Sequence, residues 1–326
     1  MSFLSEPTLF IAIIEILVGL FLLTVAADKF VDGAVSCSSA LNVPPIVVGA
    51  VIVGFGTSAP ELLVSGIAAA NGDADLGLGN IVGSNVANLS LVLGSAALII
   101  PLLVTRSMLS REAPLSVGAV LLFAFLARDG ISTTDGILLL LVLVAVLAWI
   151  IFGKSKMVED VEAEEMTIGQ ALLLTLLGLL GTLVGAQLMV WGATAIAEEF
   201  GLSGGFVGFT LVAIGTSLPE LVTAVAAARK GESELILGNL LGSNIFNSLA
   251  VGGVIGLVGS GVIKDDLMRE WGLVIMVITA TLTWVFMITR RKLSKPEAVF
   301  LLAGYVFAIV VLSSTGIGES IRDVIA

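Results

Sequence analysis

The chain has 326 residues, of which 57% are hydrophobic and 13% are charged, whereas globular domains carry about 25% charged residues. A mean hydropathy of +1.13 is too high for a water-soluble core, so the composition predicts an integral membrane protein. The absence of histidine excludes a serine–histidine triad and histidine-ligated zinc, the single Cys37 excludes an intramolecular disulfide, and 15 Lys+Arg against 26 Asp+Glu argue against a nucleic-acid partner.

The apolar segments predict an all-α protein with ten transmembrane helices. The first apolar run is not preceded by a basic segment, so we expect a retained helix rather than a signal peptide. A spanning helix needs about 20 mostly apolar residues. On that criterion the spans lie near 8–27, 44–70, 77–103, 114–127, 136–152, 168–197, 205–228, 234–260, 270–289 and 297–314.

The basic residues predict the orientation of these spans. With the N-terminus outside, the inside loops hold Lys29, Arg106, Arg111, Lys154, Lys156, Arg229, Lys230, Arg290, Arg291, Lys292 and Lys295. The outside segments then hold only Arg128, Lys264, Arg269 and Arg322. The positive-inside rule therefore favours both termini outside.

An internal repeat divides the chain into two halves. Gly56-Thr57-Ser58-Ala59-Pro60-Glu61 recurs as Gly215-Thr216-Ser217-Leu218-Pro219-Glu220, and Gly79-Asn80 with Gly83-Ser84-Asn85 recurs as Gly238-Asn239 with Gly242-Ser243-Asn244. The offset is 159 residues throughout. We expect a first five-helix repeat over 1–156, an acidic cytoplasmic linker over 157–166 and a second repeat over 167–326. Because each repeat has five spans, the second is inverted, an arrangement typical of secondary transporters with a site at the membrane midplane.

Glu61 and Glu220 occupy matching positions in the middle of spans. A charge near the bilayer centre costs at least about 2.5–3.5 kcal/mol, and no nearby span offers a basic partner. Two carboxylates without basic partners at this depth indicate a site for cations. The alternative is a pair of protonated, hydrogen-bonded carboxyls. The duplication of the glutamate favours the cation site.

Prolines and small polar residues complete the predicted site. Pro60 and Pro219 should break spans 2 and 7 and free carbonyls around Gly54 to Thr57 and Ala213 to Thr216, which is tolerated at this depth only where backbone lines a cavity or binds a ligand. Interruptions are also expected in spans 3 and 8. Thr57 shares a helix face with Glu61, as Ser84 does with Asn88, and the second repeat matches. Carboxylate, hydroxyl, amide and carbonyl oxygens suit hard cations such as Ca²⁺ rather than softer metals.

The repeated motifs resemble those of the sodium/calcium exchanger family within the cation/calcium exchanger superfamily, over roughly 49–94 and 208–253. The length, the repeat and the orientation are similar to those of compact prokaryotic members. The resemblance implies an antiporter, not an enzyme, in a prokaryotic plasma (inner) membrane. It implies exchange of about three Na⁺ for one Ca²⁺ by alternating access, with the first and sixth helices sliding across the core. It implies no prosthetic group and a functional monomer in the lipid bilayer.

The resemblance also implies the ligands. Glu61 and Glu220 would bind Ca²⁺ with the carbonyls of Thr57 and Thr216. The Na⁺ sites would use Ser58, Ser84, Ser217, Ser243, both glutamates and the carbonyls of Ala213 and Gly54, and Asn88 with Asn247 would complete the central layer. Potassium-dependent relatives carry Asp in place of Asn247, so this residue indicates potassium independence.

Three alternatives remain at this level. A proton/calcium antiporter is the nearest, although neither Gly-Asn motif carries the acidic residue typical of proton-coupled relatives. An intramembrane hydrolase lacks a histidine base or paired Asp within the spans. A passive channel is less consistent with an inverted repeat of broken helices.

Overall fold

The computed structural model describes residues 6–152, 166–199, 213–259, 263, 265 and 268–325. The first half contains α1 (Glu6–Leu41), α2 (Pro45–Thr57), α3 (Ala59–Ala70), α4 (Ala74–Ile99), β1 (Leu102–Leu103), α5 (Arg106–Ser110), α6 (Glu112–Ala127) and α7 (Thr133–Phe152). The second half contains α8 (Ile168–Glu199), α9 (Ala213–Thr216), α10 (Leu218–Arg229), α11 (Ser233–Val258), α12 (Met268–Arg290), β2 (Lys292–Leu293) and α13 (Lys295–Ile325).

The chain is a multi-pass membrane protein by the length and hydropathy of its helices. In the described part of the chain, seven helices are long and apolar enough to span a bilayer, or eight if the bent pair α2 and α3 counts as one span. The predicted seventh span falls partly on 205–212, and the acidic linker falls largely on 157–165; both segments lie outside the described residues.

Helix α1 is longer than the predicted first span. The span was expected to end at residue 27, but the helix continues to Leu41. At 1.5 Å per residue its 36 residues extend about 54 Å, well beyond the roughly 30 Å hydrocarbon core. The charged residues Asp28 and Lys29 end the apolar run but not the helix, and Asp32 on the continuing helix pairs with Lys29 at 3.5 Å and with Lys230.

The predicted break in span 2 is confirmed. Helices α2 and α3 meet at Ser58 with a 44° bend, and Pro60 stands in the first turn of α3. Proline has no N–H to give to the Gly56 carbonyl, so the helical ladder cannot continue through this point. The same interruption separates α9 from α10 at Ser217, which has φ −90° and ψ 2° against −84° and 6° at Ser58.

The expectation of broken spans 3 and 8 is wrong. Helices α4 and α11 run without interruption, and each contains instead a short π-helical segment, at Asn88–Val92 and Phe246–Val251. Neither helix contains proline, so the backbone keeps its hydrogen bonds and absorbs the local widening within the helix. Segments of this kind often occur at functional sites.

The helix bounds recur at the offset of the sequence repeat. Ala59–Ala70 and Leu218–Arg229 differ by 159 residues at both ends, as do Ala74–Ile99 and Ser233–Val258. The two halves therefore build the same local structure around the repeated motifs.

Helices α4 and α11 form the buried centre of the molecule, and α2 lies directly on α11. A Cβ at Gly242 would stand 2.3 Å from the Ala50 carbonyl oxygen, and one at Gly238 would stand 2.5 Å from that of Ile46. Only glycine permits this approach, so these two residues act in packing. The outer helices expose large apolar side chains, as a lipid-facing surface requires, and a two-residue antiparallel ladder joins β1 to β2.

Candidate cation-binding site

Glu61 and Glu220 are both fully buried, each in the first turn of the helix that follows a break. The two carboxyls are close enough to repel each other electrostatically. Among the described residues, neither forms an ion pair with Lys or Arg. The positive ends of α3 and α10 offset only part of this cost. Two buried acidic groups at one place therefore need an additional positive charge or protons.

Each carboxyl is contacted by hydroxyl groups of the opposite half. Ser58 Oγ lies 3.4 Å from Glu220 Oε1, and the Thr57 hydroxyl also interacts with Glu220. The Thr216 hydroxyl interacts with Glu61 in the same way. Ser84 Oγ, from the same half, lies 3.3 Å from Glu61 Oε1. The site is thus assembled across the contact between the two halves.

Threonine–asparagine contacts cross between the halves in matched pairs. Thr57 Oγ1 lies 3.2 Å from Asn239 Oδ1, and Thr216 Oγ1 lies 3.3 Å from Asn80 Oδ1. The two pairs occupy equivalent positions of the repeat. Asn80 and Asn239 were not among the predicted ligands, although both belong to the repeated Gly-Asn pair. Because each lies beside a threonine of the opposite half, they hold the break segments in place.

The predicted carbonyl and serine ligands are also adjacent. Ser243 Oγ donates to the Gly54 carbonyl at 3.3 Å and lies 3.5 Å from Thr57 Oγ1. Ala213, the counterpart of Gly54, lies in α9. Ser217, three residues before Glu220, is buried and has no hydrogen-bond partner among the described residues.

The two central asparagines differ in how they are held. Asn88 Nδ2 donates to Asn244 Oδ1 at 3.2 Å, and Asn244 Nδ2 donates to the Asn85 carbonyl at 3.3 Å. Asn247 is fully buried, yet neither its oxygen nor its nitrogen has a partner among the described residues. Asn244 therefore joins Asn88 to the backbone at Asn85 across the two halves, which is a structural role.

Five buried side-chain oxygens of the predicted ligands lack hydrogen-bond partners among the described residues. They are Glu61 Oε2, Glu220 Oε2, Ser217 Oγ, Asn88 Oδ1 and Asn247 Oδ1. Each unsatisfied buried polar group costs about 1–3 kcal/mol, and more if charged. Their concentration at the repeated motifs indicates a ligand that supplies positive charge to oxygen. No group of three or more acidic, cysteine or histidine residues with metal-binding geometry occurs in the described chain, so hydroxyls, amides and carbonyls must supply the other ligands.

One buried acid was missed by the sequence interpretation. Glu112, at the start of α6, is fully buried beside Arg111, whose Nε lies 3.6 Å from Glu112 Oε1. Arg111 also donates to the Ile150 carbonyl at 3.0 Å. Glu112 lies two residues before the predicted span 114–127, and no repeat or motif singled it out.

Comparison with known proteins places these features in a family. The family model described as sodium/calcium exchanger protein matches residues 11–152 and 170–314. The putative antiporter CaxA of Alkalimonas amylolytica is 40% identical over 91% of this chain and 97% of its own. The sodium/calcium exchanger MaX1 of Methanosarcina acetivorans is 29% identical over 91% of this chain and 97% of its own.

A solved structure shows the same architecture. The sodium-calcium exchanger NCX_Mj, soaked with Na⁺ and Sr²⁺, superposes with a TM-score of 0.84 at 32% identity, over 93% of this chain and 98% of its own. The fold and the buried oxygen-rich site define a membrane cation antiporter. The chain belongs to the sodium/calcium exchanger family.

Proposed function

We propose that this protein exchanges Na⁺ for Ca²⁺ across the membrane by alternating access. The observation that carries the proposal is the pair of fully buried carboxyls, Glu61 and Glu220, from opposite halves, with one unpartnered oxygen on each. Hard cations prefer such oxygen ligands. Membership of the family and the similarity to the sodium/calcium exchangers MaX1 and NCX_Mj support Na⁺ as the coupling ion.

The same oxygens serve both ions at different times. Ca²⁺ takes Glu61 and Glu220 with the carbonyls of Thr57 and Thr216. Na⁺ ions use the two carboxyls with Ser58, Ser84, Ser217 and Ser243, and with the carbonyls of Gly54 and Ala213. Asn88 and Asn247 complete the central layer. Because the ligand sets overlap, Na⁺ and Ca²⁺ compete, and this competition couples their movements.

The pair of helices α1 and α8 changes the access to the site. Side chains of α8 cover the glycines before the two breaks: a Cβ at Gly56 would meet Leu179 at 2.8 Å, and one at Gly215 would meet Val190 at 2.3 Å. Since both carboxyls are fully buried, ions reach them only when a covering element moves. Sliding of α1 with α8 uncovers the site alternately from each side.

The charges of the site support electrogenic exchange. One Ca²⁺ neutralises two ionised glutamates, whereas three Na⁺ leave one positive charge in a core without a third carboxyl. Moving one charge against 100 mV costs about 2.3 kcal/mol. Exchange of about three Na⁺ for one Ca²⁺ therefore responds to membrane potential.

The proposal includes the organisation of the chain. The chain has ten spans in two inverted five-helix repeats, 1–156 and 167–326, joined by the linker 157–166. Both termini lie outside a prokaryotic plasma membrane. The recurrence of helix bounds supports the repeat, and the distribution of basic residues supports the orientation. The site lies within one chain, so a monomer suffices, and the proposal includes no prosthetic group.

Uptake of radiolabelled Ca²⁺ into proteoliposomes tests the proposal. Vesicles loaded with Na⁺ are compared with vesicles loaded with choline under an imposed pH gradient. We expect uptake only with the outward Na⁺ gradient, and faster uptake when a potassium ionophore makes the interior positive. Uptake driven by the pH gradient alone would overturn sodium coupling and establish the alternative, a proton/calcium antiporter.

A further inference from the structure

A lateral groove lies between α6 and α12, away from the cation site. Its volume of about 820 Å³ is within the roughly 300–1,000 Å³ range of small-molecule sites. Apolar side chains of both helices, including Leu121, Phe125, Val274 and Ile278, form its wall. Phe125 is 73% exposed and Ile278 is 58% exposed, so the wall continues the lipid-facing surface.

One end of the groove carries charges of both signs. Arg128 and Asp129 follow the last residue of α6, and Arg269 and Glu270 lie in the first turn of α12. The 16 residues of α6 extend about 24 Å, most of the hydrocarbon thickness, so these charges lie at the level of lipid headgroups. The groove thus joins an acyl-chain surface to a polar end.

We propose that this groove binds a membrane phospholipid whose headgroup carries a phosphate and a primary ammonium, as in phosphatidylethanolamine. Guanidinium groups form strong paired hydrogen bonds with phosphate, so Arg128 and Arg269 hold the phosphate. Asp129 and Glu270 receive the ammonium. One acyl chain lies along Phe125 and Val274 in the groove.

The charges select this lipid over two others. Phosphatidylglycerol offers no cation to Asp129 and Glu270, so the two carboxylates disfavour its net negative charge. The trimethylammonium of phosphatidylcholine has no N–H to donate to them. The site does not depend on which ions the protein transports. In the orientation proposed above, the lipid belongs to the outer leaflet.

Native mass spectrometry of the delipidated, detergent-solubilised protein tests this assignment with phosphatidylethanolamine, phosphatidylglycerol and phosphatidylcholine of identical acyl chains. We expect one phosphatidylethanolamine per chain, bound at least about tenfold more tightly than either other lipid. The double variant R128Q/R269Q should lose this preference, while Arg106→Gln, at an exposed arginine outside the groove, should keep it.

A steric variant keeps the test independent of charge. Ala124 lines the groove, and Ala124→Phe should weaken phosphatidylethanolamine binding at least about tenfold by filling it. Ala303→Phe, at an exposed position of α13, is the matched control and should bind as the parent does. Equal binding of the three lipids, or unchanged binding in both groove variants, would overturn the proposal.

Discussion

At the scale of single residues, the site combines oxygens that have hydrogen-bond partners with oxygens that have none among the described residues. Ser243 is bound to the Gly54 carbonyl, whereas Ser217 has no partner among the described residues. The repeat made both serines candidates because they accompany a duplicated buried glutamate. The sequence could not separate them, because the difference arises from tertiary contacts between the halves.

Glu61→Gln and Glu220→Gln should each reduce Ca²⁺ uptake by more than about tenfold and leave the fold intact. Each change keeps the shape of the side chain and removes one charge from the ligand set, which lowers affinity for a divalent cation. Uptake into Na⁺-loaded vesicles measures the effect. Glu15→Gln, a partly buried acid of α1 without a counterpart in the repeat, is the control and should transport normally. Near-normal uptake in either site variant would refute the assignment.

Ser217→Ala should impair Na⁺-driven uptake with little loss of stability. The hydroxyl donates to no described residue, so its removal breaks no hydrogen bond within the described part of the protein. Ser243→Ala should cost about 1 kcal/mol of unfolding free energy, because it removes the hydrogen bond to Gly54. Unfolding in detergent and vesicle uptake separate the two effects. Equal destabilisation by both changes would assign Ser217 a structural role instead.

Asn247→Asp should make uptake more sensitive to pH or to K⁺. The change introduces a third carboxyl at a fully buried position whose amide has no described partner, so the new group must bind a proton or another cation. Uptake is measured across a pH series with and without K⁺. The same ion dependence as the parent protein would show that Asn247 lies outside the ion path.

At the scale of elements, the helix breaks that contain proline could be predicted from the sequence, and the other irregularities of the helices could not. The break at Ser58 follows from the missing N–H of Pro60, which is a local property of the sequence. The π-helical segments beginning at Asn88 and Phe246 follow from no residue type, because side-chain packing decides where a helix widens. Hydropathy predicts where the apolar run of α1 ends, at residue 27, but not where the helix ends, so it could not indicate the continuation to Leu41.

Gly242→Ala should destabilise the protein by about 1–3 kcal/mol. Its added methyl group would stand 2.3 Å from the Ala50 carbonyl oxygen, so α2 and α11 would have to separate. Gly118→Ala in α6 is the control, because its added methyl group meets no described atom within 4 Å. Thermal unfolding in detergent measures both. An unchanged midpoint for Gly242→Ala would contradict the close contact between the helices.

At the scale of the whole molecule, the two halves are assembled around two buried carboxyls, each contacted by hydroxyl groups of the opposite half. Ser58 of the first half contacts Glu220 of the second, and Thr216 of the second contacts Glu61 of the first. The repeat in the sequence predicted that the motifs would meet, and it predicted their residue types. Which hydroxyl faces which carboxyl emerged only from the fold, because these contacts join residues more than 130 positions apart.

The central claim is that one shared site binds Ca²⁺ and Na⁺ in competition. Equilibrium binding of radiolabelled Ca²⁺ to the purified protein, at increasing Na⁺, tests it most directly. We predict one Ca²⁺ per chain, complete displacement by Na⁺ with a steep dependence on its concentration, and no binding in the double variant E61Q/E220Q. Retention of Ca²⁺ by that variant, or Ca²⁺ binding that Na⁺ does not affect, would contradict the claim.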